Sequence, residues 1–234
     1  MVLVEQPSLL ERADLSRTIP ENARKLSELV NVQQKILDIG EHSVFIHEAS
    51  PPGNHYSKGT IIFLHGQAYT SNTWLEHETL RTIAALGYHC VAPDLPGNGR
   101  TRGPTLAQKD KPLFMLDFIT ALGVKKVMIV AASMSSQYIL PLLSHDVFIC
   151  VVAIALSNTH EIIHPSSLKT PVLVLWGDRD TSLGPSSASN LRCLPNARLE
   201  KVPNAGHSCY LNNPLVFQQL CINFFDLIRN YHSI

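Results

Sequence analysis

Four short runs constrain this chain more than anything else in it: "TIIFLHG" at 60–66, "KVMIVAAS" at 126–133, "VFICVVAIAL" at 147–156 and "PVLVLWG" at 171–177. They are apolar nearly throughout and rich in β-branched residues. A strand that is apolar on both faces must be covered on both, which is the condition of a buried parallel sheet. "YHCVAPD" and "ARLEKV" add two further strands, and "QQKILDI" with "SVFIHEA" read as a hairpin about Gly40 and Glu41. Helical stretches lie between them. "SNTWLEHETLRTIAALG" ends at Gly87, "KPLFMLDFITALG" repeats Leu113, Leu116, Ile119 and Leu122 before Gly123, and "SSQYILPLL" follows three serines. A last helix starts from Asn213 as cap with Pro214 in its first turn and runs through Phe217, Leu220, Phe224 and Leu227. The alternation predicts an α/β fold, a mostly parallel twisted sheet with right-handed crossovers and helices on both faces. The rhythm begins near residue 35. Residues 1–34, with Pro7 and Pro20 among leucines, are expected to form a loosely helical or partly disordered extension, and 35–234 one domain.

Charge and cysteine usage remove several classes of function. Nineteen basic and nineteen acidic residues cancel, and no basic stripe forms, so direct binding of nucleic acid is not expected. Five scattered cysteines (Cys90, Cys150, Cys193, Cys209, Cys221) read as reduced thiols, which suits the cytoplasm or the nucleus. The beginning lacks a basic stretch before an apolar run, and "VFICVVAIAL" is too short to span a bilayer, so no membrane association is expected.

Chemistry is expected where strands end. Ser133 follows "VMIVAA" and precedes a helix, in the local pattern Ala131-Ala132-Ser133-Met134-Ser135. A strand-to-helix elbow needs small residues two before and two after the nucleophile, because the two backbones nearly touch there. A serine hydroxyl becomes a nucleophile only when a histidine takes its proton and a carboxylate orients that histidine. Both partners lie downstream in the order serine, acid, histidine. Asp178 and Asp180 stand in "GDRD" after one strand, and His207 in "PNAGHSC" after the next. Either aspartate can be the acid on this reading.

"LHGQ" closes another strand, and the loop after His65-Gly66 can offer a backbone N–H to a developing oxyanion. Gln67 and Met134 are the candidate donors. His65 is read as a loop tie without a catalytic role. The glycines of "DLPGNGRTRG", at 97, 99 and 103, match neither dinucleotide nor Walker spacing, so that segment reads as a turn. "HEIIH", His160 to His164, matches the H-E-x-x-H zinc motif by letter and supplies a minor alternative, a zinc hydrolase. It follows a strand and runs into Pro165, which opposes the helix that motif requires; no metal is expected.

Together "LHG…TSNTW", "VAPDLPGNGRT", "SMSSQYILPLL", "VLWGDRD" and "NAGHSCYL" resemble the alpha/beta hydrolase domain-containing protein 14 family, over roughly residues 35 to 230. The resemblance implies the α/β-hydrolase fold, Ser133 as nucleophile, His207 as base and Asp180 as acid, with Asp178 as the fallback. Ser136 stands where the resemblance suggests glycine, and the N-terminal extension has no clear counterpart. It also brings the idea of a partner in the transcription machinery, hence a second function class: a hydrolase fold kept as a non-catalytic scaffold.

Only about fourteen residues run from Ser157 to Thr170, too few for a lid domain. An open serine site suits short acyl esters, acylated amines or an acylated protein side chain, acetylated lysine among them. The acyl group would pass to water, or to coenzyme A as an alternative acceptor. No cofactor is required for such chemistry.

Overall fold

The computed structural model describes residues 9–53 and 56–232. Among these residues eight strands form one sheet: β1 (Val32–Ile39), β2 (His42–Ala49), β3 (Thr60–Leu64), β4 (His89–Pro93), β5 (Val127–Ala132), β6 (Phe148–Ile154), β7 (Val172–Gly177) and β8 (Ala197–Val202). Their spatial order is β1-β2-β4-β3-β5-β6-β7-β8. β1 and β2 form the expected hairpin, with Ile39 opposite His42 and Gly40 at φ +57°. β2 runs antiparallel to β4, and the six strands from β4 to β8 are mutually parallel. Between β3 and β5 the winding reverses. The chain leaves β3 for β4 on one side and returns to β5 on the other, so their carboxyl ends open a crevice, the usual place for a ligand in such a sheet.

Alternation along the central strands explains the two cores. Ile61 and Phe63 of β3, with Met128, Val130 and Ala132 of β5, face a layer holding Trp74, Leu80, Phe217, Phe224 and Phe225. Ile62 and Leu64, with Val127, Ile129 and Ala131, face Phe114, Phe118, Tyr138 and Leu191. The longest helix, Pro214–His232, covers the first face.

Two expectations meet local corrections. The stretch ending at Gly87 breaks into helices Thr73–Glu76 and Thr79–Ala85, because Glu78 adopts φ +58°; Gln218 Nε2 fills the break by donating to His77 O at 2.8 Å and Thr79 Oγ1 at 3.1 Å. Helix Lys111–Ala121 buries Phe114, Met115, Phe118 and Ile119; of the anticipated repeat Ile119 is buried and Leu116 and Leu122 pack at the core's edge, whereas Leu113 is 61% exposed. A helix at Leu183–Leu191, a segment that the sequence left unassigned, carries Gly184, Pro185 and three serines.

The N-terminal extension packs on this frame. It contains helices Leu9–Arg12 and Glu21–Ser27, and residues 1–8 lie outside the described residues. Leu10, Leu15 and Val30 join the first core, and Asn223 Nδ2 donates to the carbonyls of Leu15 and Arg17 at 3.0 and 2.8 Å. A division after residue 34 falls inside β1. β6 and β7 are joined by a short connection carrying two single-turn helices, Thr159–Glu161 and Pro165–Ser167, without a lid. No helix among the described residues is long and apolar enough to cross a membrane.

Candidate active site

Ser133 sits at the carboxyl end of β5 with φ +51°, a left-handed conformation that costs a non-glycine residue roughly 1–3 kcal/mol and persists only when neighbours enforce it. The neighbours are visible. The Ser133 carbonyl accepts the Ser157 N–H at 3.1 Å and its hydroxyl at 3.3 Å, and Ser135 Oγ donates to His65 O at 2.6 Å across the sheet edge. Ser136 is fully buried, and its hydroxyl meets that of Ser157 at 2.8 Å, so a polar side chain in place of a glycine is satisfied. The turn then enters helix Ser136–Ile139.

Across the crevice the chain turns after β3. Tyr69 N donates to Gly66 O at 3.0 Å, so Gln67 and Ala68 occupy the corner of a turn. A Cβ at Gly66 would lie 3.7 Å from Ser133 Cβ, which brings this loop against the elbow. Gln67 lines the cavity; Met134 is half-buried in the first turn after Ser133, where helix N–H groups lack intrahelical acceptors.

His65 bears out its reading as a tie. Its Nδ1–H donates to Gly66 O at 2.8 Å and Nε2 accepts the Leu95 N–H at 3.0 Å, a neutral ring with both nitrogens occupied. Burial pushes its pKa below the usual histidine value.

His207 reaches the same crevice from the loop after β8. Its Nδ1 lies 3.0 Å from Asp180 Oδ2, with the histidine side chain 40% exposed and the aspartate 1%. Asp180 also accepts Ser182 N and Oγ on Oδ1 at 2.9 and 2.7 Å, and Gly184 N on Oδ2 at 3.0 Å. Burial alone would raise its pKa; the hydrogen bonds from Ser182 and His207 outweigh burial and hold it below the usual aspartate value. The close packing depends on two glycines. A Cβ at Gly184 would come 2.8 Å from Asp180 Oδ2, and one at Gly177 would come 2.1 Å from Ala205 O. Asp178 is exposed and turned elsewhere: Oδ1 accepts the Ala205 N–H at 3.1 Å and thus braces the loop that carries His207. Backbone bonds from Asn204 and Ala205 lower its pKa.

Ser133 and His207 line one cavity of about 500 Å³, with Gly66, Gln67, Ala68, Tyr69, Ala132, Ile154, Ser208 and Tyr210. Tyr69 and Ile154 were not singled out from the sequence; Ser208 and Tyr210 stand in "NAGHSCYL" beside His207, without a role assigned to them there. "HEIIH" lies apart from this cavity's wall and is not a helix. It comprises part of a single turn, an extended Ile162 and a left-handed His164 at φ +50°, with both histidines exposed. The described residues contain no group of three potential metal ligands.

A parallel sheet with its winding reversal between β3 and β5, a strained serine at that reversal and a carboxylate-held histidine beside it define an alpha/beta hydrolase. The model of that family, described as the alpha/beta hydrolase family, matches residues 61–162. Protein ABHD14A of Danio rerio is 35% identical over 197 residues, 80% of this chain and 73% of that one. The human protein named "Putative protein-lysine deacylase ABHD14B" is 30% identical over 194 residues, 79% of this chain and 91% of that one. The chain belongs to the ABHD14 family of alpha/beta hydrolases. Two crystal structures show the same fold: the CarC serine hydrolase of carbazole degradation, at TM-score 0.72 and 16% identity over 84% of this chain and 100% of that one, and the Bacillus subtilis carboxylesterase CesB, at 0.70 and 15% over 87% and 95%.

Proposed function

We propose that this chain is a serine hydrolase or acyltransferase that moves a short acyl group through an acyl-Ser133 intermediate. The observation that carries this reading is the buried Asp180 carboxylate holding a half-exposed His207 at the rim of the cavity that Ser133 lines. With Nδ1–H given to Asp180, the neutral His207 ring presents the Nε2 lone pair, the state needed to take a proton from Ser133 Oγ. Oγ then attacks the acyl carbonyl, and the oxyanion meets the N–H groups of Gln67 and Met134. His207 returns the proton to the leaving alcohol or amine, the carbonyl re-forms, and the acyl group remains on Ser133. A second nucleophile, water or the thiol of coenzyme A, gives its proton to His207 and attacks the acyl carbonyl; His207 passes the proton to the departing Ser133 Oγ, and the acyl group leaves as acid or thioester. No cofactor enters these steps.

The substrates proposed are short acyl esters and acylated amines, the acetylated lysine side chain of a protein among them. The ABHD14B relatives' deacylase name supports that class, and so does a connection between β6 and β7 too short to roof the site. A site reachable by a protein side chain would work in the cytoplasm or the nucleus, where a transcription-related partner could present it. The test is turnover of p-nitrophenyl acetate by wild type and Ser133→Ala, with and without coenzyme A. Loss of turnover in the variant, with acetyl-coenzyme A formed by the wild type, is the expected result. Equal turnover by the two proteins would remove Ser133 from the chemistry and leave the scaffold reading.

A further inference from the structure

The cavity has two unlike walls. Ala132 and Ile154 make one side apolar, whereas Tyr69, Ser208 and Tyr210 bring three hydroxyls to the other. Among the described residues no lysine, arginine, aspartate or glutamate lines it. Tyr69 OH and Ser208 Oγ pair at 2.9 Å. The Tyr210 hydroxyl lies beside those of Ser208 and Thr73. Thr73 is 3% exposed, and its Oγ1 has no well-formed hydrogen bond among the described residues.

The Tyr210 ring is fixed, 4.7 Å from Trp74 and 6.0 Å from Phe217 between ring centres. Its phenol is therefore held in place rather than free to turn to solvent. The Cβ that Gly66 lacks would lie 3.9 Å from the Tyr210 hydroxyl and 3.7 Å from Ser133 Cβ. Phenol and nucleophile thus both border the space beside that glycine, a span that a short acyl chain borne on Ser133 can cover.

From this placement we infer that the hydroxyl wall is an acyl subsite selecting an uncharged short chain that carries its own oxygen, a 3-hydroxyacyl or 3-ketoacyl group, with Tyr210 as the specificity-determining residue. The inference rests on the acyl-Ser133 reading and names its substrate more closely. A plain alkyl chain would cover the Tyr210 phenol and the Tyr69–Ser208 pair without offering them a hydrogen-bond partner; a chain oxygen offers one. A carboxylate-ended chain such as succinyl would find no cation to receive it. Burial raises the Tyr210 pKa, so the phenol keeps its proton and can donate.

The experiment compares kcat/KM for p-nitrophenyl 3-hydroxybutyrate and p-nitrophenyl butyrate on wild type and Tyr210→Phe, with thermal melting confirming that the variant folds. Wild type is expected to prefer the hydroxy ester by about 10-fold, and the variant to prefer neither, its loss falling on the hydroxy ester. No preference in the wild type overturns the inference. So does an equal loss on both esters, which would make Tyr210 a donor to the reacting carbonyl instead.

A second measurement separates this subsite from the chemistry: equilibrium binding of N-(3-hydroxybutyryl)lysine and N-butyryl-lysine to Ser133→Ala. A preference of about 10-fold for the hydroxyacyl compound supports the subsite even where no ester is turned over, and equal binding contradicts it.

Discussion

Two buried aspartates have almost the same donors and opposite uses. Asp180 receives two bonds from Ser182, one from the Gly184 N–H and one from His207. Asp94, 2% exposed, receives Ser71 N and Oγ on Oδ1 at 2.8 and 2.6 Å and Arg100 N on Oδ2 at 2.7 Å. Because Ser71 gives its proton to Asp94, it accepts from His47 Nδ1 at 2.9 Å, which closes a chain of histidine, serine and carboxylate. The difference lies beyond the carboxylate. His207 looks into a cavity beside a strained serine, whereas His47 is 2% exposed and walled by Phe45. A histidine, a serine and an aspartate in hydrogen-bond contact are therefore not a site by themselves. What separates the two is access, and which member the carboxylate holds: the histidine at Asp180, the serine hydroxyl at Asp94.

Breaking the Asp180 side should cost activity far more than stability. Asp180→Asn leaves His207 without its orienting acceptor, and kcat should fall by about 10⁴-fold while the urea midpoint moves little by comparison; a variant within tenfold of wild type would contradict the role given to Asp180. The reverse should hold for Asp94→Ala. Removing that carboxylate strands the Ser71 and Arg100 N–H groups and should cost about 3 kcal/mol in equilibrium unfolding. Turnover per folded molecule should survive, to be checked by active-site titration. A milder prediction concerns acid. Burial pushes both His47 and His65 below the usual histidine pKa, so the folded rings resist a proton that the unfolded chain accepts below about pH 6.5. Stability should then decline as pH falls, by up to about 1.4 kcal/mol per pH unit for each ring, until the folded rings themselves protonate. Asp180 adds to this at lower pH, since its lowered pKa stabilises the fold above the ordinary aspartate range and that contribution disappears as pH drops through the folded value. His47→Gln should reduce the slope near pH 6 in urea titrations. The smallest effect is expected at "HEIIH": Glu161→Ala should leave ester turnover within about twofold of wild type, as its exposed side chain serves only Asn158 and Gln108.

The same comparison shows what could be read without a structure. The places of Ser133 and His207 were legible because each follows a recognisable strand and the order serine, acid, histidine runs along the chain. Asp94 ends a strand too, yet its partners Ser71 and His47 come from separate segments brought together by the order β2-β4-β3, and no sequence period records that adjacency. Helix Leu183–Leu191 was hidden for a related reason. Its Gly184 admits the close approach of Asp180 and its serines suit a loop as well as a helix, so tertiary contact overrides local preference there. The cavity wall was likewise out of reach, since Tyr210 meets Gly66 only when the two loops converge.

The most direct measurement is acid-quenched mass spectrometry of the protein during turnover of p-nitrophenyl acetate, with peptide mapping. An acetyl group is expected on Ser133 in the wild type, accumulating further in a variant that slows release, and absent from Ser133→Ala. An acetyl group on another residue at the same rate, or turnover with no adduct and no dependence on Ser133, would contradict the acyl-Ser133 intermediate.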